Sequence, residues 1–139
     1  MVQGFNPAGL WLEENAGYQQ GVVQPEGRVI HMTGQVAWNS DLEIVGVGDV
    51  GAQTEQCFRN IETLLSAEGG TLDDIVSMTI YFTAPGQRPA ISEVRNRAFA
   101  PGRAPVSIYI QAAGLVHPDL LVELVPIAVV PHERFRDAA

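Results

Sequence analysis

Lysine is absent from the 139 residues: all eight cations are arginines, set against 16 acidic residues for a net charge of −8. Without lysine there is no Schiff-base catalysis through an ε-amine and no phosphate-cradling P-loop lysine. An acidic chain with no basic run also lacks the footprint of a nucleic-acid binder. Cysteine occurs once, at Cys57, so no intrachain disulfide can form, and a reducing compartment is the simplest home. No apolar run is long enough to span a bilayer; the longest reaches only from Leu124 to Pro131. The opening Met1-Val2-Gln3-Gly4-Phe5 lacks the basic start and apolar core of a secretory signal. These absences predict a soluble, cytoplasmic protein with no membrane partner.

What is present is one domain's worth of chain. Apolar residues make up 46% and charged residues 17%, a globular balance that can support a core without staples. The first twenty residues show little periodicity and read as an irregular arm or short edge strand. Arg28 to Val36 reads as a strand, with Ile30 and Met32 on one face and Val29, His31 and Thr33 on the other. Thr33-Gly34-Gln35 closes it, the glycine permitting close approach to the backbone. From Asp49 to Glu68, Thr54, Cys57, Phe58, Ile61, Leu64 and Leu65 recur at helical spacing until Gly69-Gly70. Thr71-Leu72-Asp73-Asp74 fits a capping box. Ile75 to Phe82 alternates as a strand, with Val76, Met78, Ile80 and Phe82 inward. Pro89 opens a second helix through Phe99, burying Ile91, Val94 and Ala98. Two strands, near 106–112 and 120–130, complete the chain, with Pro126 interrupting the second. The predicted class is α+β: a single, mostly antiparallel sheet with two helices packed on one face, forming one domain over residues 1–139.

Several motifs dissolve on inspection. Gly46-Val47-Gly48-Asp49-Val50-Gly51 matches a dinucleotide fingerprint, but Asp49 would oppose the pyrophosphate and the chain is short for a doubly wound sheet. His31, His117 and His132 lie on three separate segments, which predicts no metal site. Cys57 sits on the apolar stripe of the first helix and reads as core. Ser107 has no His/Asp framework around it.

Two charged residues resist this treatment. Arg103 follows Pro101-Gly102 and precedes Pro105, at the entrance to a β-branched strand. A planar, always-charged fork on so stiff a backbone suits a carboxylate or phosphate, unless it is simply a solvated loop cation. Glu123 is the lone acid in the apolar run Leu120–Val130 and needs a partner or a job. If the last two strands form a hairpin centred near residue 116, Glu123 faces residue 109 and Arg103 lies ~20 Å further along. The two then meet at one small ligand only in a site built between neighbouring subunits.

The same residues carry a resemblance. Gly17-Tyr18-Gln19-Gln20, Thr33-Gly34-Gln35, the helix from Gln53 to Gly69, Pro101-Gly102-Arg103 and Val122-Glu123-Leu124 resemble, in order, motifs of the RidA/YjgF family. Together they span roughly residues 16–130. The resemblance implies a chorismate-mutase-like fold, a homotrimer with inter-subunit sites, and no cofactor. The family's best-known members hydrolyse enamines and imines such as 2-iminopropanoate to 2-oxo acids and ammonia. By resemblance, Arg103 binds the substrate carboxylate, Glu123 positions or activates water, and Tyr18 and the Thr33-Gly34 backbone line the site. There are departures. Gly17 and Gln19 stand where the family has proline and serine. Ser92 and Arg95 replace an asparagine and a tyrosine, and Pro105 holds a position that is cysteine in some members. The alternatives are a non-catalytic binder of small carboxylates and a hydrolase with an altered substrate. RNA cleavage, described for some relatives, fits the charge of −8 poorly.

Overall fold

A computed structural model describes residues 2–138. Near the N-terminus, β1 (Gln3–Phe5) pairs antiparallel with β2 (Gly21–Val23) in a two-stranded sheet of their own. The remaining strands are β3 (Arg28–His31), β4 (Ile75–Phe82), β5 (Val106–Gln111) and β6 (Val122–Val130). They form a second sheet in the order β3-β6-β4-β5. The helices are α1 (Val50–Ala67) and α2 (Arg88–Ala98).

The helices form where the sequence places their ends. The Asp49 carboxylate accepts from the Ala52 amide and caps α1, so the glycine-rich run before it is a cap turn with Gly46 and Gly48 at positive φ. Cys57, Phe58, Ile61 and Leu65 of α1 and Ile91 and Val94 of α2 share one core cluster with Ile75, Met78, Ile80, Phe82, Val122, Leu124 and Ala128. Both helices therefore cover the same sheet face. Leu64, expected on that stripe, is exposed instead. Among the described residues, no helix is long and apolar enough to cross a membrane.

The sheet departs from expectation in four ways. There are two sheets rather than one. The larger is mostly antiparallel, as predicted, in two of its three pairings; the departure is β5, which runs parallel to β4, with Met78 beside Ser107 and Ile80 beside Tyr109, while β6 runs antiparallel to β4 on its other side. β5 and β6 thus form no hairpin. The chain passes from β4 through α2 to β5, the crossover that parallel neighbours require.

The other two departures are local. A register shift between Ile75 and Ser77 turns Val76 to the opposite face, where it packs with Val2 and Val129 under the small sheet. Pro126 does not break β6, which runs through it. The reason lies in β3, which ends after His31 pairs with Ile127. The ladder resumes at Gln35 opposite Leu124, so residues 32–34 bulge past residues 125–126. The proline lies where β3 leaves the ladder. The expected strand over 28–36 is accordingly four residues long.

Candidate functional site

The bulge that spares Pro126 also builds one half of the site. Gln35 and Leu124 exchange backbone hydrogen bonds of 2.7 and 2.9 Å, which sets Gly34 against the neighbouring Glu123 side chain. A Cβ on Gly34 would overlap Glu123 Oε2, so only glycine lets backbone and carboxylate come this close. Glu123 joins Thr33, Gly34, Gln35, Trp38 and Asn39 around an open cavity of about 450 Å³. Asn60 of α1 donates to the carbonyls of Val36 and Trp38 at 3.1 and 3.0 Å and fixes the cavity's far wall. Gln53, fully buried, bonds the Asp119 carbonyl at 2.8 Å and receives the Leu121 amide at 2.9 Å. That clamp ties α1 to the entry of the strand carrying Glu123. Among the described residues, no cation pairs with Glu123.

Arg103 belongs to a different end of the sheet. Its nearest charged partner is Asp73, at 3.5 Å, and both side chains are about half exposed. Asp73 precedes β4, whereas Glu123 lies opposite Tyr81 near that strand's far end. The six steps from Ile75 to Tyr81 span ~20 Å at ~3.3 Å each. β5 and β6 form no hairpin, yet the separation a hairpin would imply is present for a different reason. One chain does not bring the two residues together.

Tyr18 lies on the Arg103 side. The buried Gln19 amide nitrogen donates to the carbonyls of Gly102 and Ala104 at 3.4 and 2.7 Å, and the Gln19 backbone amide reaches the Pro105 carbonyl at 3.0 Å. The N-terminal arm therefore holds the loop that carries Arg103. The five expected site residues fall into two groups, Tyr18 with Arg103 and Thr33-Gly34 with Glu123.

A third feature lies beyond these two groups. Tyr18, Arg88, Ser92, Arg95, Ser107 and Tyr109 surround a cavity of about 300 Å³ between α2, β5 and the arm. Arg95 is buried there, with its guanidinium over the rings of Tyr18 and Tyr109 at 5.2 and 5.1 Å. Ser92 Oγ and Tyr109 Oη are 2.7 Å apart. The signal available in the sequence was Arg95 itself, standing where the resembled family has tyrosine.

Cys57 completes the inventory. Burial, and next the Glu123 carboxylate, push its thiol up from 9.0 to about 12. It stays a thiol at neutral pH and is no nucleophile. The unfolded chain releases this proton near the ordinary value while the folded chain keeps it, so stability should fall as pH rises from about 9 toward about 12. Native protein at pH 8 should resist iodoacetamide and react promptly once unfolded in urea; rapid native labelling would refute the buried assignment. Among the described residues, no group of three or more His, Cys, Asp or Glu side chains is placed to hold a metal ion.

A family model described as endoribonuclease L-PSP matches residues 11–130. The chain belongs to this family, that of the YjgF/RidA proteins. A Rid protein of unknown function from Yersinia pestis, YyfB, is 30% identical, with a TM-score of 0.86 over 93% of this chain and 98% of that one. A YjgF-family protein from Mycobacterium tuberculosis is also 30% identical, with a TM-score of 0.64 over 90% and 97% of the two chains. RidA from an Antarctic Psychrobacter, at 24% identity and a TM-score of 0.69 over 92% and 94%, shares the fold. The small sheet, the mixed four-stranded sheet and the two helices on one of its faces are thus a Rid-family architecture.

Proposed function

We propose that this chain is a hydrolase of small 2-imino and enamine acids, acting without a cofactor in sites shared between the subunits of a homotrimer. The observation that carries the reading is the Glu123 carboxylate, held against the Gly34 backbone in an open cavity and paired with no cation among the described residues. A carboxylate so placed is available to take a proton from water. An iminium carbon is already electrophilic, so hydrolysis needs a held carboxylate, an oriented water and one proton-transfer group. Arg103 anchors the substrate carboxylate. Glu123 takes a proton as the water oxygen bonds to the imine carbon, giving a carbinolamine. Returning that proton to nitrogen lets the C–N bond break, while Glu123 takes the hydroxyl proton as the carbonyl forms and passes it to the departing ammonia, so iminium and water become a 2-oxo acid and ammonium. Tyr18 and the Thr33-Gly34 backbone line the cleft.

The homotrimer is supported by the sheet face away from the helices. Val29, Ile108 and Ile110 point there and are each more than 40% exposed, with Val125 and Ile127 half-buried between them. Association would remove this apolar surface from water and bring Arg103 of one chain toward Glu123 of the next. Light scattering at micromolar concentration should give a mass about three times the 15.0 kDa of the chain. A monomer would overturn the shared site as well.

The test of the activity generates 2-iminopropanoate and 2-iminobutanoate in situ with an amino-acid oxidase and follows their decay. Acceleration by catalytic amounts of protein is expected. The competing reading is a binder of small carboxylates that turns nothing over, favoured by Arg95 occupying a family tyrosine position in the cavity beside Tyr18. Unchanged decay would decide for it.

A further inference from the structure

The cavity beside Tyr18 holds more positive charge than a single substrate carboxylate requires. Arg95 is only 3% exposed, and burying a guanidinium is costly unless something compensates its charge. Its partners are neutral: Nε and one terminal nitrogen donate to Asn96 Oδ1 at 3.3 and 3.2 Å, and the other donates to Ser107 Oγ at 3.3 Å. Three of five N–H groups are thus used, all in long bonds, and two are left. Arg88 lies over the same Tyr109 ring at 4.8 Å and lines the same cavity. Among the described residues, neither arginine belongs to an ion pair. Glu13, exposed at the rim, is the one acid in the lining.

We infer that Arg95, with Arg88, binds a second carboxylate of the ligand, so that this chain acts on a small 2-imino acid with an acidic side chain. The inference rests on the imine-hydrolase reading for its chemistry, but the carboxylate subsite stands on the cavity alone. The Arg95 guanidinium carbon lies over the Tyr18 and Tyr109 rings, and its two remaining N–H groups suit the two oxygens of a planar carboxylate. A volume of about 300 Å³ admits a small ligand. Tyr18 also lines a smaller cavity with Pro101 and Gly102, the residues just before Arg103. Arg103 and Ser107 are four residues apart, at most ~14 Å between Cα atoms. Tyr18 lines both cavities, so a dicarboxylate that spans it would meet one arginine at each end.

Calorimetric titration of the intact protein with glutarate, butyrate and inorganic phosphate tests the subsite without requiring turnover. Glutarate should bind about tenfold or more tightly than butyrate, the discrimination expected for one charge-assisted pair. Arg95→Gln should bring the two affinities together, and Arg88→Gln should narrow the gap. Arg103→Ala should weaken both ligands alike. A purely structural Arg95 would lower thermal stability and leave the glutarate-to-butyrate ratio intact, which overturns the inference. So does equal binding of the two acids by the native protein, or phosphate binding as tightly as glutarate. Should Arg95→Gln fail to fold, Arg88→Gln and Arg95→Lys decide by the same ratio. Imines made in situ from glutamate and alanine separate this inference from the one beneath it. A glutarate preference with no acceleration of either imine sinks the hydrolase reading and keeps the subsite. Acceleration of the alanine imine with no glutarate preference does the reverse.

Discussion

Arg103→Ala is expected to lower kcat/KM for 2-imino acids about 100-fold, or about 3 kcal/mol, the cost of losing a charge-assisted bidentate anchor in a partly dry cleft. The same substitution should hardly touch stability. The only ion pair Arg103 makes among the described residues is with Asp73 at 3.5 Å, between two half-exposed side chains. Such pairs contribute ~0–1 kcal/mol. Losing one frees Asp73 to water and leaves no buried charge behind. The contrast between a large kinetic and a small thermal effect is the diagnostic feature. Arg103→Lys should recover only a few-fold of the loss, because a point charge on a flexible stem does not reproduce the fork. Asp73→Asn should be nearly silent in both assays. A loss on Arg103→Ala that matches a drop in unfolding temperature would mean that the loop, not the ligand, needs the arginine. Steady-state kinetics on in-situ imine, paired with thermal denaturation of the same preparations, reads both quantities.

The sequence was most legible where one local rule sufficed. The 3.6-residue apolar stripe from Asp49 to Glu68 located α1, and the alternation in Ile75–Phe82 located β4. It was least legible where the answer depended on which strand lies beside which. Period-2 alternation assigns faces, not neighbours, so the pattern was equally compatible with a hairpin of the last two strands although β4 lies between them. A strand, a helix and a strand in succession were present in β4, α2 and β5, and that order already favoured a parallel crossover. Pro126 looked like an interruption because a proline in a central strand removes a ladder bond. Only the departure of β3 at residues 32–34 makes it tolerable, and nothing local announces that departure.

The candidate site divides in the same way. The residues that carry the family resemblance, Tyr18, Thr33, Gly34, Arg103 and Glu123, were all visible in the chain. How they group was not, because grouping is a property of the sheet order. Gln19 read as a departure from the resembled pattern, and the structure gives it a job, holding the carbonyls on either side of Arg103. Gly4 is tied to the same device: a Cβ there would collide with the Gln19 side chain. Arg95 was visible as an unusual residue on α2, but its burial depends on β5 and the N-terminal arm closing over it. Helical periodicity places Arg95 next to the buried Val94 and gives no reason to bury a charge.

The separation of Arg103 from Glu123 leads to the sharpest expectation. Glu123→Gln keeps the anchor and removes the proton acceptor, so it should depress kcat strongly while ligand binding holds. Neither Arg103→Ala nor Glu123→Gln trimers should turn over appreciably alone. Unfolding the two together and refolding them at equal concentration should restore activity. In a cyclic trimer each site takes Arg103 from one chain and Glu123 from the next. A mixed ring then contains one site whose Arg103 comes from a Glu123→Gln chain and whose Glu123 comes from an Arg103→Ala chain. Random assembly makes about three-quarters of the rings mixed, with one intact site in three, so about a quarter of wild-type activity should return. A single-chain site predicts nothing on mixing, because every chain carries one lesion. Mass spectrometry of differently tagged chains establishes that exchange has occurred. Exchanged trimers without activity, alongside wild-type protein that survives the same refolding, would place the two residues in one chain's site or in none.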